Sequence, residues 1–355
     1  MHERKSRVLL AAAGALLFSM GAARAETVNI TVVNGHAPVF LWVKHLTETF
    51  IPTVNKELEG SGITIKWSEQ YGGSLAKVGG ELETLEEGLA EVGAVPTIFE
   101  ADKLPLHNVS YVTPFTTGDA GIVLKVLDEM HRTTPALTTM WNKYNLEYLG
   151  GGFVLDDYQM LTTYPVAKVA DMNGHKLNTP GPTINWLKGT GAVGVGGNLS
   201  EYYNNIKTGV VEGTVTFPTA AAPGKFVEVA PHITKVGFGA QYAGSLVANK
   251  KWYDAQPDAL KKALKKAAAA YSAAYNASLL QRIDGAYVTM TAAGGKVAEL
   301  PAAERAKWAK ALPPIAKTWA QEWDGKGVPA SAVLSAYMDA VRAAGGKPLR
   351  DWDKD

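Results

Sequence analysis

Three carboxylates in the middle of the chain, Asp156, Asp157 and Glu212, have the chemistry of a general base. An enzyme reading, a periplasmic lyase or isomerase, would rest on one of them. The other ingredients of catalysis are missing. The sequence has no cysteine, no G-x-S-x-G elbow, no H-E-x-x-H pair and no G-x-x-x-x-G-K-[ST] phosphate loop. Gly194-Val195-Gly196-Gly197 lacks the later glycine of a dinucleotide fingerprint and is expected to be a plain loop. His36, His45, His107, His131, His175 and His232 are scattered without metal-ligand spacing, so neither metal nor cofactor is expected. His36 stands apart from the rest. It ends the first predicted strand, where α/β sheets place their ligand crevice.

The stretch from Asp171 to Pro218 is the most informative: DMNGHKLNTPGPTINW, a Gly-rich run, then SEYYNNIKTGVVEGTVTFP. The first part reads as a strand running into a Pro-Gly-Pro turn. The second reads as a helix from Leu199 to Lys207, stopped by Gly209 and followed by a Val-rich strand. This arrangement resembles the extracytoplasmic solute-binding proteins of TRAP transporters, the DctP-like family. That family carries D-L-x-G-x-K-hydrophobic-Arg-hydrophobic-Pro-Gly and then E-x-Y-x-A-L-x-x-G-V-V-D-G. Asp171, Gly174, Lys176, Leu177, Pro180, Gly181, Glu201, Tyr203, Gly209, Val210, Val211 and Gly213 fall into its register. The turn Tyr71-Gly72-Gly73 and the strand leading to Pro165 match further family positions. Where the family places its carboxylate-binding arginine, this chain has Asn178.

The resemblance implies a periplasmic-binding-protein-like α/β fold, with two α/β lobes and mixed sheets around a ligand cleft, linked by a long helix. It implies a receptor that captures a small organic solute and delivers it to membrane permease subunits, with no catalytic residue. The rival within binding proteins is the receptor of another transporter type. A second arginine found in some members would land near Asp157 or Tyr158, and the family's last polar contact near Thr216 or Phe217. With Asn178 and Thr179 as neutral donors, and His36, Tyr71 and Trp186 at the neighbouring loops, the expected cleft is neutral and aromatic. Its solute is then expected to be a monocarboxylate, aromatic among the options.

The surrounding elements fit that plan. Residues 1–25 read as a signal peptide: Arg4, Lys5 and Arg7, an apolar run, then Ala23-Arg24-Ala25. This predicts a periplasmic protein. The 35 basic and 34 acidic side chains give a net charge of +1 with no basic stripe, which argues against nucleic acid as a partner. A monomer is expected. Strand–helix–strand spacing over 26–151 predicts the first lobe, completed by a returning segment at about 241–258. Residues 152–240 form the second lobe, with Gly150-Gly151-Gly152 either the crossing point or an ordinary surface loop. An Ala- and Lys-rich pattern over 258–292 predicts one helix on the order of 50 Å long, running along both lobes. Two shorter helices broken near Asp284-Gly285 are the alternative. Residues 293–355 supply C-terminal helices, including one from Glu304 to Trp323, and end in what reads as a tail.

Overall fold

A computed structural model describes residues 26–355. The expected signal peptide lies outside the described residues. Two mixed sheets organise the two lobes. In the first, β1 (Glu26–Asn34) lies parallel between β2 (Ile63–Tyr71) and β3 (Val92–Pro96). Ile30, Val32 and Val33 of β1 are fully buried, as are Val92, Ala94 and Val95 of β3, so β-branched side chains fill the core on a central strand pair. β4 (Leu146–Leu155) and β10 (Gln241–Asn249) complete the order β2-β1-β3-β10-β4, with β10 antiparallel to both neighbours.

The second sheet has the order β11-β9-β5-β8-β6-β7. Its strands are β5 (Gln159–Thr162), β6 (Lys176–Thr179), β7 (Val193–Gly196), β8 (Gly213–Thr216), β9 (His232–Lys235) and β11 (Lys296–Glu299). The helix Leu199–Lys207 leads into β8. Asn198 caps it, with Glu201 closing a capping box. The Gly-rich run expected as a loop is instead β7, pairing in parallel with β6 from Lys176↔Val193 to Thr179↔Gly196. Small residues suit that edge, because a Cβ on Gly194 would sit 2.5 Å from Ile184.

The triple glycine is neither a crossing nor a surface loop. It lies inside β4, and the first sheet continues through Phe153↔Gly244 to Leu155↔Gln241. Gly150 and Gly151 take positive φ values of 98° and 69°, so glycine here permits irregular pairing with β10 rather than an exit. The chain crosses at Asp156–Tyr158 and returns through Val236–Ala240. These two segments lie side by side. Tyr158 N–H donates to the Gly239 carbonyl (3.1 Å), Phe238 N–H to the Tyr158 carbonyl (3.1 Å), and Gly239 N–H to the Asp157 carboxylate (2.7 Å).

The helix Asp258–Ala292 runs unbroken for 35 residues, through Asp284-Gly285. Gly285 faces open space, and its cost of about 1 kcal/mol relative to alanine is too small to break a packed helix. Ser272 and Tyr275 hydroxyls donate to the Gly152 and Val154 carbonyls of β4. At the far end Met290 packs with Leu161, Tyr202 and Ile233 of the second lobe. Among the described residues no helix is long and apolar enough to cross a membrane.

The C-terminal region, expected as helices over 293–355, departs from that expectation three times, first in that Lys296–Glu299 form β11 beside β9. The helix foreseen from Glu304 to Trp323 is two, Ala302–Ala311 and Ile315–Asp324, because Pro313-Pro314 cannot continue a helix. The final residues are not a loose tail. Trp352 is fully buried, its indole N–H donating to the Pro114 carbonyl (2.7 Å), and Arg342 pairs with Asp351 and Asp353.

Candidate functional site

Where the C-terminal ends of β1 and β3 face the second sheet, side chains from both lobes enclose a narrow cavity. His36, Trp42, Phe99 and Phe153 wall it from the first lobe; Tyr158, Tyr202, Thr216 and Phe217 wall it from the second, with Tyr111 between. The rings are mutually braced. Trp42 lies nearly parallel to Phe153 (centroids 6.3 Å, 8° between planes), His36 meets Trp42 edge-on at 5.1 Å, and Tyr158 leans on Phe217 at 5.1 Å.

No lysine, arginine, aspartate or glutamate lines this cavity. Its polar equipment is neutral. His36 Nδ1, Trp42 Nε1, the Tyr111 hydroxyl and Thr216 Oγ1 are buried and have no hydrogen-bond partner. Leaving such a group unsatisfied costs about 1–3 kcal/mol, and four of them share the wall of this one cavity. Burial pushes the His36 imidazole down to about 3, so the ring is neutral.

The residues expected at the site divide into two groups. His36, Tyr158, Thr216 and Phe217 line the cavity. Asn178 does not. Its side-chain N–H donates to the Val195 carbonyl of β7 (3.2 Å), and its oxygen accepts from Asn205 (3.2 Å), so this amide ties β6 to β7 and to the following helix. Thr179 is buried beside it, its hydroxyl unpartnered but outside the cavity wall. Trp186 sits one layer back, donating its indole N–H to the Tyr111 carbonyl (2.7 Å). Tyr71 ends β2, also outside the lining.

The carboxylates lie elsewhere. Asp157 belongs to the lobe crossing. Asp156 accepts from the Thr219 backbone N–H (3.1 Å) and hydroxyl, and both face a separate polar recess behind the crossing. Glu212 is on the surface with His175 at 2.9 Å. None touches the cavity, so none is placed to act as a base on its contents. Among the described residues no group of three or more His, Asp or Glu side chains is placed to hold a metal.

Sequence reasoning missed Trp42, Phe99, Tyr111 and Tyr202. Trp42 had a usable signal, since it opens the helix that follows the first strand. Tyr202 adjoins Tyr203, the motif position, yet it is Tyr202 that turns inward while Tyr203 reaches out to Glu228. The remaining two carry no local signature.

Residues 35–322 match the bacterial extracellular solute-binding protein, family 7 (DctP). The chain belongs to this family. No curated protein sequence matches it significantly. Among solved structures, this DctP-family protein is similar to a TRAP periplasmic solute-binding protein from Sulfitobacter with bound β-D-galacturonate. The TM-score is 0.76 at 18% identity, covering 88% of this chain and all of that one (100%). A Bordetella pertussis extracytoplasmic solute receptor binding pyroglutamic acid gives 0.76 at 20% identity, covering 89% and 99%. A sugar acid binding protein from Advenella mimigardefordensis, in complex with galactonate, gives 0.77 at 22%, covering 90% and 99%. The family makes this protein an extracellular solute-binding receptor rather than an enzyme.

Two deeply buried carboxyls give the receptor a pH signature. Burial raises Glu81 and Asp156 to about 7 each, despite the hydrogen bonds that Gly35 and Thr219 donate to them. A carboxyl whose pKa is raised by folding binds its proton more tightly in the native state. Its contribution is complete below the ordinary carboxylate range and is lost as pH rises toward 7. Between pH 5 and pH 8 these two groups therefore pull the melting temperature down as pH rises, against the buried His36, His107 and His131, whose lowered pKa values pull it up over the first part of that range. Asp156→Asn should remove part of the downward pull; an equal pH dependence in this variant would show Asp156 to be ionised in the native state throughout.

Proposed function

We propose that this receptor captures a solute with an apolar or aromatic body and at most one carboxylate, and delivers it to a TRAP membrane permease. The observation that carries the reading is the cavity between the lobes, walled by aromatic side chains and lined by no charged residue. Relatives of the same fold bind sugar acids and pyroglutamic acid, which supports an acidic head group. A sugar acid's row of hydroxyls would need many more polar partners than four. An aromatic monocarboxylate of the benzoate type suits the wall better. Neutral ring compounds come second. The protein acts in the periplasm as a monomer, exported by the segment that ends at Ala25.

A thermal-shift screen over aromatic acids, sugar acids, aliphatic diacids and neutral ring compounds tests this, followed by calorimetry and recovery of the solute. Aromatic monoacids should raise the melting temperature and come back unchanged. Stabilisation by sugar acids alone would overturn the reading. Ala243, a small side chain in the cavity wall, offers a second check. Ala243→Phe should fill the space and weaken the best ligand at least about a hundredfold, equivalent to about 2.8 kcal/mol, while the protein remains folded. Unchanged affinity would place the ligand elsewhere.

A further inference from the structure

We propose that the receptor takes up one proton from solution with each carboxylate it binds, and that His36 is the side chain that requires it. This rests on the reading that an acid enters the cavity. A carboxylate arriving there meets no fixed cation, and burying an unpaired carboxylate costs several kcal/mol. Neutralisation needs a proton, and His36 is the one nitrogen base on the wall.

The ring is held for that role. It is almost completely buried, edge-on to Phe40 at 5.7 Å and to Trp42 at 5.1 Å, with Phe99 at 6.3 Å, and Nδ1 has no partner. Its backbone is fixed from two sides. His36 N–H donates to the Asn34 side-chain oxygen (2.9 Å), whose amide donates to the Ala94 carbonyl (2.7 Å). Gly35 N–H donates to Glu81 (2.9 Å), and a Cβ on Gly35 would lie 2.4 Å from the Val78 nitrogen, so only glycine allows this approach.

The balance is simple. One carboxylate and one proton enter, and no covalent bond is broken. The proton sits either on Nδ1, giving an imidazolium–carboxylate pair, or on the carboxyl oxygen, which then donates to Nδ1. The stoichiometry is the same. In the empty cavity burial keeps His36 neutral, so the proton is not already present. The other titratable groups facing the site are Tyr111, Tyr158 and Tyr202, all shifted upward by burial, and none is a cation. Behind the ring, Glu81 is raised to about 7, and Glu100 beside Phe99 likewise. Ionised, either would repel an anionic ligand and leave a neutral one unaffected, so proton uptake is measured in His36→Gln as well, where uptake of about one proton persisting would assign it to these carboxyls and overturn the inference.

The experiment is calorimetry of benzoate and of benzyl alcohol at pH 6 to 8, in buffers of low and high ionisation enthalpy. Benzoate should take up about one proton, and its affinity should fall about tenfold per pH unit, while benzyl alcohol takes up none and varies little. His36→Gln should weaken benzoate at least tenfold more than it weakens benzyl alcohol. Benzoate binding without proton uptake, or equal losses for both ligands in the variant, overturns the inference and leaves the proposed function standing. Binding of neither compound overturns both.

Discussion

Succinate and malate should bind this receptor at least about a hundredfold more weakly than an aromatic monocarboxylate of similar size. One carboxylate can be neutralised by a single proton shared with His36, but a second would lie against Trp42, Phe153 and Phe217 with no cation in the lining. An uncompensated buried charge costs several kcal/mol, and each 1.4 kcal/mol is a factor of ten. Affinity for the preferred ligand should also depend weakly on salt, since no fixed cation is involved. Titration calorimetry at pH 7 with succinate, malate and benzoate in parallel gives the answer. Micromolar succinate binding with benzoate ignored would mean that the cavity opens to expose a cation not on its present wall.

Replacing Trp308 by alanine should lower the melting temperature by roughly 6 °C. Deleting so large a buried side chain costs about 3–5 kcal/mol, and each kcal/mol shifts a protein of about 330 residues by roughly 1.4 °C. The loss should exceed packing alone because Trp308 heads a relay. Its indole N–H donates to the Trp186 carbonyl (2.8 Å), and the Trp186 indole N–H donates to the carbonyl of Tyr111, a cavity residue. Phe238, in the returning lobe crossing, sits edge-on to Trp308 at 4.9 Å and stacks on Trp186 at 5.1 Å. The same variant should therefore weaken ligand binding from a distance, and Trp308→Phe should recover part of the stability. A change of less than about 3 °C in Trp308→Ala would show that the C-terminal helices do not brace the site.

Much of this molecule can be read along the chain. Alternating and β-branched runs announce β1, β2 and β3; Asn198, Glu201 and Gly209 bracket their helix; a 35-residue pattern without proline predicts the long helix. These signals are local, because backbone hydrogen bonds and helix caps involve residues a few positions apart. That Asn178 stands where the resemblance places an arginine was equally legible. Its consequence was not. Reading Asn178 as a ligand contact failed because its amide is satisfied by Val195, on a strand that its glycines disguised as a loop, and by Asn205. His36, Tyr111, Tyr158 and Thr216 come from separate segments, and only the facing of two sheets brings them to one cavity. Residue types determined that a neutral, aromatic site was available. Which aromatics line the cavity, and which merely support them, was decided by packing between lobes, where no sequence period specifies which side chain meets which.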